Sequence, residues 1–298
     1  MYNFINNAIY PVHRQEFMPE LPEVETMRRG ILGIVGSKIT AVEHCPCPRR
    51  PIVTTPPGKK FLERQVGQKI DAVERVGKRV VLCLSSGDRV VIEPRMTGLV
   101  LLGEPPTQEH LRLHWKLRGR GIPDLWFWDR RGLGVVRVVN DREFDKYYGA
   151  DRVGPDALQV AADIFRERFK KSRRPIKVAL LDQTAVAGIG NLYAAEILHL
   201  ARIHPARACT RLTINDWNRV HAATIEILET AIRYEGSTLG DGTYRNVLNQ
   251  DGSYQNQHRV YGRAGEICGV CNVTMIVRIV QAQRATFFCP GCQKRGRK

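Results

Sequence analysis

A chain of 298 residues is long enough for two domains of ordinary size, each with its own core. Hydrophobic residues make up 43% of it but never run unbroken for the length of a bilayer, which excludes a membrane-spanning helix. The 46 Lys and Arg against 30 Asp and Glu leave a net charge of +16 and point to a polyanionic partner. Those charges are spread along the whole chain with no basic amphipathic helix, so nucleic acid suits them better than a lipid surface.

Residues 1–17 lack a charged leader followed by an apolar core, so they read as an upstream extension rather than a signal peptide. Next comes Met18-Pro19-Glu20-Leu21-Pro22-Glu23-Val24-Glu25-Thr26. If translation starts at Met18, the methionine can be trimmed away, leaving a free proline amine. A secondary amine can attack an aldehyde carbon and form an iminium ion, an electron sink of the kind used in Schiff-base catalysis. Glu20 and Glu23 supply carboxyls able to move protons beside it. The same residues also suit an ordinary first turn of a helix, and on the residues alone both readings stand.

Val24, Met27, Ile31 and Ile34 fall at helical spacing and predict a helix ending near Gly33–Gly36. Cys45-Pro-Cys-Pro and Thr54-Thr-Pro-Pro-Gly then predict a loop too rich in proline for regular structure. Residues 69–139 read as strands. Val80–Leu84 and Arg89–Ile92 flank the hairpin signal Ser85-Ser-Gly-Asp88. Leu111, Leu113, Trp115 and Leu117 alternate with Arg112, His114, Lys116 and Arg118, giving one apolar and one basic face. Trp126–Trp128 and Val135–Val139 add further strands, and together they suggest an antiparallel sandwich or barrel. After Gly154-Pro155 the spacing predicts helices over 156–170, 175–186, 191–201 and 215–234. The last carries Trp217, Val220, Thr224, Ile227 and Ala231 on one stripe. Residues 236–262 form a long polar loop of the kind more often functional than idle. A basic tail, Lys294-Arg-Gly-Arg-Lys298, closes the chain.

Of the eight cysteines, Cys45, Cys47, Cys83 and Cys209 are scattered, whereas Cys268, Cys271, Cys289 and Cys292 form two C-x-x-C pairs. That spacing predicts a tetrahedral Zn2+ site on a short β-hairpin, structural because four thiolates leave no position for water. Ala187-Gly-Ile-Gly-Asn191 reads as a glycine turn opening a helix, either a phosphate site or a plain Asn N-cap. Gly77-Lys78-Arg79 sits where a strand pair begins.

These stretches resemble the formamidopyrimidine-DNA glycosylases. The likeness rests on the opening P-E-L-P-E-V-E-T, on the Gly188–Asn191 turn, on Gly77-Lys78 and on Gln283-Arg284-Ala-Thr-Phe-Phe-Cys289-Pro, in the family's order. It implies an α+β multidomain fold. An N-terminal antiparallel β-sandwich (18–150) would be followed by a helix–two-turn–helix domain (151–262) and a C-terminal β-hairpin zinc finger (263–298). The implied activity is excision of oxidised purines, 8-oxoguanine and formamidopyrimidines, from double-stranded DNA, with strand cleavage at the abasic site by β,δ-elimination. Pro19 would be the nucleophile and Glu20 the proton donor. Lys78, Asn191 and Arg284 would hold phosphates, and Met96, Arg131 and Leu133 would fill the gap left by the everted base. Leu133 stands where the family has an aromatic residue. The linker between the cysteine pairs is one residue longer than usual, so the hairpin tip near Val273–Met275 is expected to differ. The resemblance further implies a bacterial cytoplasmic monomer. Two alternatives are an endonuclease VIII-like glycosylase for oxidised pyrimidines, whose opening has Gly where this chain has Leu21, and a zinc-finger DNA-binding protein without catalysis.

Overall fold

A computed structural model of the protein describes residues 18–47, 50–119, 121, 124–238 and 244–295. The extension 1–17, the centre of the polar loop (239–243) and the end of the basic tail (296–298) lie outside the described residues.

Helix α1 (Leu21–Gly30) opens with a capping box in which the Glu20 N–H donates to Glu23 Oε2 at 2.9 Å. Val24, Met27, Ile31 and Ile34 are fully buried, so the apolar spacing marks a buried face, although the last of them lies in a 3-10 turn at Leu32–Ile34. Strands β1 (Lys38–His44), β2 (Val53–Thr55), β3 (Ile70–Val76), β4 (Arg79–Leu84), β5 (Arg89–Glu93), β6 (Gly98–Leu101), β7 (Leu111–Arg118), β8 (Leu125–Asp129) and β9 (Val135–Val139) make two sheets. One runs β1-β7-β8-β6 and the other β2-β9-β5-β4-β3. Pairing is antiparallel except where β2 runs parallel to β9. The inner faces share one core, with Ile39, Leu113, Trp115 and Phe127 from the first sheet meeting Val80, Leu82, Val90 and Ile92 from the second. Because side chains alternate along a strand, Val81, Val91 and Val139 point the other way, into a small cluster with Tyr148, Val153 and Ala187.

Three features depart from the sequence reading. The proline-rich stretch holds β2 and a short helix α2 (Lys59–Glu63), because Phe61 is fully buried and β2 pairs with β9. Helix α3 (Asp141–Tyr148) falls before Gly154, opened by an Asn140 capping box. Arg112 does not join a basic surface. It is buried and donates to the Asp129 carbonyl through Nε at 2.8 Å and Nη2 at 2.7 Å.

Helices α4 (Ala162–Phe169), α5 (Ile176–Ala179), α6 (Asn191–Leu200) and α7 (Ile214–Arg233) follow; α6 and α7 match the predicted spans to within one residue at each end, whereas α4 and α5 are much shorter than the spacing predicts. Trp217, Val220, Thr224, Ile227 and Ala231 are all buried. Helix α1 touches α7 as well as β3, β4 and β6, so it is the seam between sheets and helices. Near the end of α6, the buried Glu196 carboxylate accepts the N–H groups of Arg259, Val260 and Tyr261 at 2.9, 3.0 and 2.7 Å. That fixes the chain leading to β10 (Val277–Gln281) and β11 (Arg284–Phe288), an antiparallel hairpin. Among the described residues no helix is long and apolar enough to cross a membrane.

Candidate active site and metal centre

Pro19 and Glu20 are buried at the head of α1, and the glycine turn before α6 packs directly on them. The Leu21 N–H donates to the Gly188 carbonyl at 3.1 Å. The Glu20 carboxylate accepts the Leu192 N–H at 2.9 Å and the Tyr193 N–H at 3.5 Å. These are orphan donors of the first turn of α6, whose N-cap is Gly190. The two glycines make room for this contact. A Cβ on Gly190 would lie 2.2 Å from Glu20 Cδ, and one on Gly188, at φ +114°, would lie 2.4 Å from Leu21 Cδ1. Burial pushes the Glu20 carboxyl above the usual carboxylate range, while the Lys78 charge and the backbone N–H groups oppose it.

Glu23 is equally enclosed. Tyr193 Oη donates to its Oε1 at 2.6 Å and the Ser237 N–H to the same oxygen at 3.0 Å. Burial, reinforced by the Glu20 charge, pushes Glu23 up to about 7. Lys78 is half-buried, and burial lowers its ammonium from the usual range while Glu20 holds it up. Glu20, Glu23 and Lys78 therefore form one coupled set.

Asn191 is the first residue of α6 and not its cap, which removes the plain N-cap reading. Its Oδ1 accepts Lys177 Nζ, and its Nδ2 donates to the Ala285 carbonyl at 3.0 Å. Arg284, the exposed neighbour of Ala285 on β11, is thereby brought beside Asn191. Burial pushes Lys177 down to about 8, with the Arg284 charge adding to the effect. Lys177, Tyr193 and Ser237 escaped the sequence reading as site residues, whereas Gly190 lies in the glycine turn that the sequence marks. Lys177 sits between Ile176 and Val178 with nothing local to mark it.

Met96, Arg131 and Leu133 gather elsewhere, on the loops after β5 and β8. Arg131 Nη1 approaches Met96 Sδ at 3.4 Å. The two loops are tied by the fully buried Asp129, which bonds Thr97 Oγ1, the Arg131 N–H at 3.2 Å and the Gly134 N–H at 2.7 Å. Arg131 is exposed, and Met96 and Leu133 are half-buried.

The four sulfurs of Cys268, Cys271, Cys289 and Cys292 all lie within 4.8 Å of one another. Cys268 and Cys292 are 3.9 Å apart, and Cys271 and Cys289 3.7 Å. A zinc ion with sulfurs at ~2.3 Å in a tetrahedron would space them ~3.8 Å apart, so the donor set fits such a metal. Behind it, His199 Nε2 lies 3.5 Å from Cys268 Sγ. The hairpin tip is Ala282–Gln283, both at positive φ, and not Val273–Met275. Those residues precede β10, with Val273 81% exposed.

Comparisons with known proteins agree with the fold. The family model described as "Formamidopyrimidine-DNA glycosylase N-terminal domain" matches residues 18–136. The model described as "Formamidopyrimidine-DNA glycosylase H2TH domain" matches 153–242. The formamidopyrimidine-DNA glycosylase of Chloroflexus aurantiacus is 39% identical over 281 residues, covering 93% of this chain and 98% of that protein. That of Listeria innocua is 38% identical, covering 93% and 100%. Among solved structures, the MutM (Fpg) protein of Thermus thermophilus aligns with a TM-score of 0.81 at 36% identity, over 94% of this chain and 100% of that one. The complex of Lactococcus lactis Fpg with abasic site containing DNA aligns at 0.82 and 33% identity, over 93% and 100%.

Proposed function

This chain belongs to the formamidopyrimidine-DNA glycosylase family, and from that premise we propose that it excises oxidised purines from double-stranded DNA and then cleaves the strand. The carrying observation is the Glu20 carboxyl. It is buried against the first turn of α6, next to Pro19, with the Lys78 charge opposing the rise that burial gives it, so a carboxyl made more ready to hold a proton stands beside the nucleophile.

The Pro19 amine attacks C1′ of the everted nucleotide while Glu20 donates its proton and the glycosidic bond breaks. The base leaves, the C1′–O4′ bond of the sugar opens with O4′ taking up the proton released by the proline nitrogen, and the resulting iminium acidifies the sugar C–H bonds. Loss of those protons expels first one flanking phosphate and then the other, and water frees the proline from the sugar remnant. Lys78, Asn191 and Arg284 grip the backbone around the lesion, positioning it without reading sequence. Met96, Arg131 and Leu133 occupy the space the base vacates. By resemblance the polar loop 236–262 is the region that covers the everted base; among its described residues the Ser237 N–H donates to Glu23 Oε1 and Tyr244 Oη to the Glu235 carbonyl at 3.0 Å. One Zn2+ on the four cysteines would stabilise the fold of the hairpin that carries Arg284. The element order supports the division 18–150, 151–262 and 263–298. The same reading places the protein in the bacterial cytoplasm.

Oxidised purines are favoured over pyrimidines because the relatives above are named for the former and Leu21 stands where endonuclease VIII-like enzymes have Gly. In this chain Pro19 follows Met18, and its nitrogen is an amide without a free lone pair. The active form therefore begins at Pro19, a reading supported by the family match starting at residue 18. Borohydride treatment on duplex containing 8-oxoguanine tests it. The form beginning at Pro19 is trapped as a covalent adduct, Pro19→Gly alters the trapping, and the 298-residue form is silent. Trapping of the intact longer chain, established by mass spectrometry, would transfer the nucleophile's role to an amine such as Lys78.

A further inference from the structure

Three groups converge through four hydrogen bonds on the buried Arg75 side chain, which none of the steps above uses. Its Nε donates to Glu25 Oε2 at 2.9 Å, its Nη1 to Asp156 Oδ2 at 2.5 Å and to the Gly77 carbonyl at 3.0 Å, and its Nη2 to Asp156 Oδ1 at 3.1 Å. Each partner belongs to a different part of the cleft. Glu25 lies on α1, the helix headed by Pro19 and Glu20. Gly77 immediately precedes Lys78 and is held at φ +56°. Asp156 adjoins Pro155 and Ala157, which bond to Ala187 through its N–H at 2.9 Å and its carbonyl at 3.0 Å. Ala187 leads straight into the Gly188–Gly190 turn on which Glu20 rests. A Cβ on Gly77 would lie 3.2 Å from Ala187 Cβ, so the Lys78 turn and the glycine turn meet directly beside the guanidinium.

We propose that Arg75 is a positioning residue for the excision and lyase chemistry, setting the Lys78 turn against the Pro19–Glu20 head of α1 and the glycine turn of the helical domain. This rests on the functional reading above. Glu25 and Asp156 supply two carboxylates in different directions and Gly77 a neutral acceptor, a pattern that needs a planar fork of donors. A lysine offers a point charge and cannot span all three. A surface ion pair would tolerate that exchange. Arg75 is 7% exposed and its partners Glu25 and Asp156 are 8% and 16% exposed. Burial alone would raise the Glu25 carboxyl, yet bonds from Arg28, Arg29 and Arg75 hold it down to about 2. Glu25 therefore stays charged throughout the working pH range, and although burial lowers the Arg75 guanidinium, its bonds to Asp156 and Glu25 push it up on balance.

The test compares the form beginning at Pro19 with Arg75→Lys, Lys78→Ala and the double variant on duplex containing 8-oxoguanine. Single-turnover excision, borohydride trapping and duplex affinity are read for each. Misplacing a reacting group by about 1 Å costs roughly 10²-fold in rate. Arg75→Lys is expected to slow excision and trapping by that order while changing duplex affinity less than about threefold. Lys78→Ala in the Arg75→Lys background is expected to add little, because both act through one position. Wild-type rates in Arg75→Lys, or losses that multiply in full, overturn the proposal. If Arg75→Lys does not fold, Glu25→Gln, which retains the shape of the clamp and removes one charge, is read by the same criteria. Absence of trapping in the parent form beginning at Pro19 would instead overturn the functional reading itself.

Discussion

The Glu20 carboxylate accepts the Leu192 N–H at 2.9 Å across 172 residues of chain. One side chain thus caps the helix that carries Asn191 while belonging to the turn that carries Pro19. A carboxylate at a helix start is stabilised by the exposed N–H groups and by the axial dipole, so the site's proton donor is also the joint between its two halves.

Gly190→Ala tests that joint. The new Cβ would sit 2.2 Å from Glu20 Cδ, and the carboxyl must move off the helix end. A stability loss of about 1–3 kcal/mol is expected from the overpacking. Excision in folded protein should fall by roughly 10²-fold. Melting curves and single-turnover rates check both, and unchanged excision would mean that Glu20 need not rest on α6.

Glu23 gives stability a dependence on pH. Its folded-state value is raised from 4.5 to about 7, so between those values the folded chain holds a proton that the unfolded chain has released. Its contribution is therefore fully present below pH 4.5, falls as pH rises through 7 and is flat above. The loss is on the order of 3 kcal/mol. Glu23→Gln should remove this slope, whatever it does to absolute stability, since the amide cannot accept from all three present donors. Denaturant titrations at steps from pH 4.5 to 8 measure it, and an undiminished slope in the variant would assign the dependence to another group.

Removal of the metal should act at a distance. The hairpin built on the four cysteines carries the Ala285 carbonyl that receives Asn191 Nδ2. Losing the ion should release Arg284 and Asn191 together. One equivalent of zinc is expected to copurify, and Cys289→Ala should lose both metal and duplex binding. Elemental analysis showing active protein without zinc would refute this.

Arg284→Ala should weaken binding to all duplexes alike and lower the salt slope of log affinity by ~1. A change confined to lesion choice, with the slope intact, would place Arg284 at the base rather than the backbone.

Where a signal is local, the sequence reading and the structure coincide. The stripe Trp217, Val220, Thr224, Ile227 and Ala231 is buried as its spacing predicts, and Ser85–Asp88 turns β4 into β5. Where a long-range partner decides, local spacing misleads. Arg112 alternates like a solvent-facing residue, yet the Asp129 carbonyl draws it inside. Val53–Thr55 become a strand only because β9 lies alongside. The site divides in the same way. Pro19, Glu20, Asn191 and the cysteines sit in motifs, whereas Lys177 and Arg75 owe their places to Asn191 and Asp156, 14 and 81 residues away.

Helix α6 carries three attachments along its ten residues: Glu20 at its first turn, the 259–261 segment at Glu196, and Cys268 at His199. It therefore works as a ruler between the cleft and the hairpin. Each residue of a helix advances it ~1.5 Å and, at ~3.6 residues per turn, swings it by ~100°. One residue inserted between Leu192 and Glu196 would leave both ends intact and aim Arg284 away from Asn191, so the phasing of this short rod sets which phosphates the two can share.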